Sequence, residues 1–159
     1  MADIKQSITS GSSNLRSIKR SSDYNSGQIG RIVPQAVQVE EVVLGAIMID
    51  INAMSAVLDM LSPDVFYLQA HAKIFSAMMR IFNKTQPIDL LTVHEKLKKA
   101  GEIEEVGGPA YLAELTSKVG TAANVEHHAR IIVQKYIQRE LISVSTTIIN
   151  DSFEDTKDV

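Results

Sequence analysis

From Asn124 to about Asn150 the apolar residues recur in steps of four, three and four. Val125, Ala129, Ile132 and Tyr136 form one row, and Ile137, Leu141, Val144 and Ile148 repeat its spacing. Such steps follow the turn of an α-helix, not the two-residue pleat of a strand. Asn124 suits the N-cap, and Glu126 with Arg130 makes an i,i+4 pair. At ~1.5 Å per residue this helix is about 40 Å long, whereas the helix expected just before it, over 110–118, reaches only about 15 Å. The short arm can cover half of the long one. The apolar row from Ile137 to Ile149 needs another cover. Either it folds back on the preceding helices, or a second copy or another protein covers it, since an apolar helix face is a ready docking surface.

The segments before the long helix also read as helices. Val39, Val43 and Ile47 recur at helical spacing, with Glu40, Glu41 and Asp50 off that stripe. The β-branched run 42–51 also admits a strand. Asn52 suits the cap of a short helix through Leu61, and Ser62-Pro63-Asp64 reads as a cap followed by Pro at the first helical position. In 69–82, His71, Ile74, Phe75, Met78, Ile81 and Phe82 make one wide apolar face. Asp89 can cap a helix over 90–100 that Gly101 stops in the left-handed conformation. Gly107-Gly108-Pro109 breaks the chain before the short arm. The expected fold is all-α. A small helical head (34–106) precedes a helical hairpin with one long arm (107–153).

Composition narrows the function classes. A chain of 159 residues with 45% hydrophobic residues can bury a core without staples. No Cys is present, which excludes disulfides, thiolate nucleophiles and cysteine-ligated metals. No apolar run reaches the ~18 residues of a membrane span. The net charge of −3 conceals two unlike parts. Residues 1–33 hold five basic groups against two acidic ones, and the remainder holds eleven against seventeen, so a +3 tail precedes a −6 body. The tail is rich in Ser, Gly and Asn and is expected to be disordered. It has no apolar core of a secretory signal, and its Arg residues are sparse for a transit peptide.

Catalytic constellations are missing from the sequence. No Gly is followed by Lys, so the phosphate-cradling loop of nucleotide-hydrolysing enzymes does not occur. His71 and His94 read as hydrogen-bonded core histidines. His127 and His128, adjacent on a helix, diverge by about 100° and cannot share a metal. Glu40-Glu41 and Glu104-Glu105 read as solvated faces. Phe66, Phe75 and Phe82 read as core rather than as a base-stacking platform. No catalytic, cofactor or metal set emerges.

One group of short blocks, in order, resembles the N-terminal domain of the bacterial replicative DNA helicases of the DnaB type. Pro34-Gln35-Ala36 leads to Glu40 and then to Val43-Leu44-Gly45-Ala46-Ile47-Met48-Ile49-Asp50. Phe66-Tyr67, His71 and Ile74-Phe75 follow, then Pro87-Ile88-Asp89 and Thr92-Val93. Gly107-Gly108, Tyr111-Leu112, Leu115, Ala123-Asn124-Val125 and Arg139 match the hairpin. The likeness covers about 34–153 and says nothing of the tail.

The resemblance implies hairpins that pair two chains, three pairs forming a collar on a hexameric ring. It implies recruitment of the primase through the primase's C-terminal helical domain, and a cytoplasmic place at replication forks. The ATP- and Mg²⁺-using motor that moves on single-stranded DNA would be a separate domain after a linker beginning near 154–159, so this chain itself is expected to be no enzyme and to hold no cofactor. On physical grounds, partner contacts are assigned to Tyr111, Ile142 and Ile148, each equally able to be buried in the self-dimer. The hairpin pairing is assigned to Val125, Ile132, Tyr136, Leu141 and Val144. A rival reading is a nucleic-acid-binding helical module that uses the basic tail and Lys96-Leu97-Lys98-Lys99. The acidic body opposes it, since it repels phosphate.

Overall fold

The helix that follows Ala36 is the centre of the molecule. In the computed structural model, which describes residues 32–153, α1 runs Val37–Ile49 and every residue from Val43 to Met48 is buried. A helix apolar on all sides is stable only when other helices surround it. That enclosure, rather than β propensity, decides the run 42–51, which is helical to Ile49 and not a strand. The expected disordered tail and the expected linker start lie outside the described residues.

Shorter elements follow α1. α2 (Ala53–Val57) stops well before Leu61, and the Asn52 side chain does not cap it. Asn52 instead donates its own backbone N–H to Asp50 Oδ1 at 2.8 Å, closing the turn out of α1. Pro63–Val65 is a single 3-10 turn, and Ser62 gives it no side-chain cap. α3 (Gln69–Phe82) buries His71, Ile74, Phe75, Met78 and Ile81, as its spacing requires, with Phe82 half-buried. α4 (Leu90–Ala100) begins with a reciprocal cap. Asp89 Oδ1 accepts from the Thr92 backbone at 2.8 Å, and Thr92 Oγ1 accepts from Asp89 N–H at 2.9 Å. It ends at Gly101 with φ 73. α5 (Gly108–Ser117) starts beyond Gly107 with Pro109 in its first turn, and α6 spans Val125–Phe153. Among the described residues there is no strand, and the fold is all-α.

The packing departs from a simple hairpin. α5 and α6 each lie against α1, and they make only marginal contact with one another. Gly45 makes this possible. A Cβ there would sit 2.2 Å from the Leu115 carbonyl oxygen and 2.7 Å from Val119 Cγ2, so the α1 and α5 backbones approach as only glycine permits. α5 contributes Leu112 and Leu115 to the core and α6 contributes Val125, Ala129 and Ile132. Residues assigned to head and hairpin therefore share one core, and no boundary between cores falls at 106/107. α4 packs against both α3 and α5.

Candidate protein-docking surface

α6 divides at Arg139. Up to that point it is held in the body. The Arg139 guanidinium donates to the Val65 carbonyl at 2.7 Å and to the Pro34 carbonyl at 3.1 Å, and it lies over the rings of Tyr67 and Tyr136. Beyond it, every apolar side chain from Leu141 to Phe153 is between 45% and 65% exposed. The described part of the chain does not fold back over this stretch.

The free stretch is unusual in composition. Between Glu140 and Asp151 it carries no charge. At about 100° per residue, Ile137, Leu141, Val144 and Ile148 form one stripe. Ile142, Ile149 and Phe153 form a second, about 120° around the axis by the same geometry. Three of the hydroxyls on this stretch are already satisfied within the helix. Thr146, Thr147 and Ser152 donate to the carbonyls of Ile142, Ser143 and Ile148 at 2.8, 3.1 and 2.7 Å. Covering those hydroxyls therefore strands no donor. A surface with two apolar stripes can be dried by two different neighbours at once.

The assigned pairing residues fall into two sets. Val125 and Ile132 are buried in the chain's own core, so they have no face to offer a second chain. Tyr136 is half-buried at the Arg139 anchor, where the neighbouring Asp64 carboxylate raises its phenol above the ordinary range. Leu141 and Val144 are open, as are Ile142 and Ile148 among the assigned partner contacts.

Tyr111 is different. Its hydroxyl points inward, 2.7 Å from His71 Nε2, and its ring lies parallel to the imidazole. The structure does not gather Tyr111 with Ile142 and Ile148 into one site, since α5 and α6 barely meet.

Behind Tyr111 lies a buried polar chain that sequence reasoning missed in part. His71 is fully buried and hydrogen-bonded, as expected. Glu40 is not on a solvated face. It is 1% exposed, its Oε2 2.7 Å from His71 Nδ1 and its Oε1 accepting from the Tyr67 backbone at 2.7 Å. A carboxylate only accepts, so Nδ1 carries a proton and donates to Glu40, while Nε2 meets the Tyr111 hydroxyl. Burial and then the charge of Glu41 raise the Tyr111 phenol above its usual value. The signal for Glu40 was present: Val43, Leu44 and Ile47 stand at +3, +4 and +7 from it, which places it on the buried face. Glu41 is half-buried and pairs with Lys118 at 2.9 Å. Glu104 and Glu105 are exposed, Glu105 pairing with Lys73. His94 is half-buried rather than core. Arg139 had no local signal, because its acceptors stand far away in sequence.

Lys98 and Lys99 stand in the last turn of α4, where the helix dipole favours cations, and Lys99 pairs with Glu95 at 3.4 Å. The basic tail falls outside the described residues. Among those described, no helix is long and apolar enough to cross a membrane, and no group of His, Asp and Glu is placed to hold a metal.

Known proteins agree with this architecture. Residues 32–134 match the family described as DnaB-like helicase N terminal domain. The chain is 44% identical over 131 residues to the replicative DNA helicase DnaB of Rhodothermus marinus, a match covering 82% of this chain and 14% of that protein. It is also 44% identical over 131 residues to the Geobacillus stearothermophilus DnaB, covering 81% of this chain and 29% of that one. The chain thus spans less than a third of either relative. Among solved structures, the N-terminal domain of DnaB helicase from Mycobacterium tuberculosis superposes with a TM-score of 0.77 at 31% identity, over 80% of this chain and 90% of that one. The N-terminal domain of the Helicobacter pylori DnaB helicase, described together with its interactions with primase, shares the fold at a TM-score of 0.62 and 23% identity, over 72% of this chain and 89% of that one. The chain belongs to the family of DnaB-like helicase N-terminal domains.

Proposed function

We propose that this chain is the collar module of a replicative DNA helicase, joining copies into a ring and recruiting primase. The observation that carries the reading is the outer part of α6, an uncharged helix surface with two open apolar stripes. The stripe of Ile137, Leu141, Val144 and Ile148 pairs with the same stripe of a second chain, and three such pairs build the collar. The stripe of Ile142, Ile149 and Phe153, with Ile148 at the margin, receives the primase C-terminal domain. Tyr111 stands apart from that stripe, on α5, and offers the primase a separate contact through its ring, because its hydroxyl is engaged by His71. Interfaces of this kind gain most from a few buried apolar anchors and little from charged rims.

The longer protein is proposed to carry the ATP- and Mg²⁺-dependent motor that moves on single-stranded DNA at cytoplasmic replication forks. No Gly of the sequence is followed by Lys, and among the described residues no group of His, Asp and Glu is placed to hold a metal. A titration with an isolated primase C-terminal domain tests the recruitment. Ile142→Asp and Ile148→Asp are expected to weaken capture about tenfold or more, as losses of ~1.4 kcal/mol or greater would, while the far-ultraviolet dichroism stays unchanged. Unchanged capture by both variants removes this face from the primase site.

A further inference from the structure

A second surface lies away from α6, around the turn that joins α3 to α4. Thr85 in this turn takes φ 55, a left-handed value that few non-glycine residues adopt. The turn ends at Gln86-Pro87, and both residues line a groove on either side. One groove, of about 520 Å³, has an apolar lining that includes Ile47, Ile51, Phe82 and Ile88. The other, of about 450 Å³, is bordered by Leu91 and by Lys84, Lys96 and Lys99, with Glu95 as its single carboxylate. No α6 residue lines either one. The rims carry two large apolar side chains that a folded domain ordinarily hides, Ile51 at 75% and Leu91 at 66% exposure.

The charges here are crowded and unbalanced. Glu95 is taken by Lys99 and Glu102 by Arg80. Among the described residues, Lys84 and Lys96 have no carboxylate within ion-pairing distance. Burial, and then Lys84, Arg80 and Lys99 nearby, lower the Lys96 ammonium below its usual range. In a body that is acidic overall, this is a local basic rim beside an apolar floor.

We propose that the Gln86-Pro87 turn and its two grooves are the docking face for an acidic peptide segment of another protein, with aliphatic side chains entering beside Ile51 and Leu91. Carboxylates of the peptide relieve the repulsion between Lys84 and Lys96, and its apolar anchors cover the exposed rim. Single-stranded nucleic acid suits the face less well. The one aromatic ring in the lining, Phe82, is half-buried and offers no open platform for a base.

Fluorescence anisotropy tests the proposal on the full chain, with two labelled probes. One is a peptide of three Glu-Leu-Glu-Glu-Leu repeats, and the other is oligothymidylate. Saturable peptide binding that weakens as salt rises is expected. The double variant Lys84→Glu/Lys96→Glu should weaken it by about tenfold, since it turns two attractive contacts into repulsive ones, and Leu91→Ser should weaken it several-fold. All three positions lie outside the buried core, and unchanged thermal melts certify the fold. Ile142→Asp should leave peptide binding untouched, which separates this face from the α6 surface. Absence of saturable binding, equal affinities across the variants, or preference for oligothymidylate overturns the proposal without touching the reading of α6.

Discussion

Glu40 keeps an ionisable group in the core, and its two donors, His71 and the Tyr67 backbone, make that tolerable. Removing one partner of such a pair costs more than removing a neutral hydrogen bond, because the remaining charge stays buried. His71→Leu is therefore expected to lower stability by about 3 kcal/mol, and Tyr111→Phe by about 1 kcal/mol, in urea titrations. Equal, small losses would mean that water replaces the missing partner. Gly45→Ala belongs to the same scale. Its methyl meets the Leu115 carbonyl, and the strain is expected to cost about 1–3 kcal/mol.

The raised Tyr111 phenol has a signed consequence. The unfolded chain ionises near the ordinary phenol value of 10.0, whereas the folded phenol resists. The contribution is complete below that pH and is lost as pH climbs through the folded value. Tyr136, also raised, acts in the same direction. The melting temperature should fall above about pH 10, and more gently in Tyr111→Phe. At this scale the sequence was legible where apolar spacing is dense, as at His71. It misled where one stripe, Val39-Val43-Ile47, was chosen over the overlapping one that contains Glu40.

Individual elements were the most readable part of the chain. α3 and α4 match their expected bounds, because each combines a clean apolar period with a stop or a cap. Asp89→Ala should cost about 1 kcal/mol for that reason. What periodicity does not encode is which helix covers which. The short and long arms were expected to lie on each other, yet both turn to α1, since Gly45 opens room for α5 and α1 presents an unbroken buried run from Val43 to Met48. Arg139 marks the point where α6 leaves the body, a role set by two distant carbonyls and invisible in any local window. Amide exchange should follow that division: slow before Arg139, where the helix is packed, and fast over 141–153 at low concentration. Uniform protection along α6 at low concentration would contradict it.

At the scale of the molecule, the folded chain uses its core residues internally and leaves the apolar side chains at the end of α6 exposed. A helix apolar on two stripes and free of charge is poorly stabilised alone in water. The account therefore requires that something cover it, and a second copy is the first candidate because the Ile137–Ile148 stripe is compatible with its own pairing. The measurement that tests this most directly is sedimentation equilibrium across a wide concentration range, for the wild-type chain and for Leu141→Asp/Val144→Asp. The account predicts a wild-type mass that rises to the dimer while the double variant remains a folded monomer. A wild-type chain that stays monomeric at the highest concentration, or a double variant that associates as strongly as wild type, would contradict it.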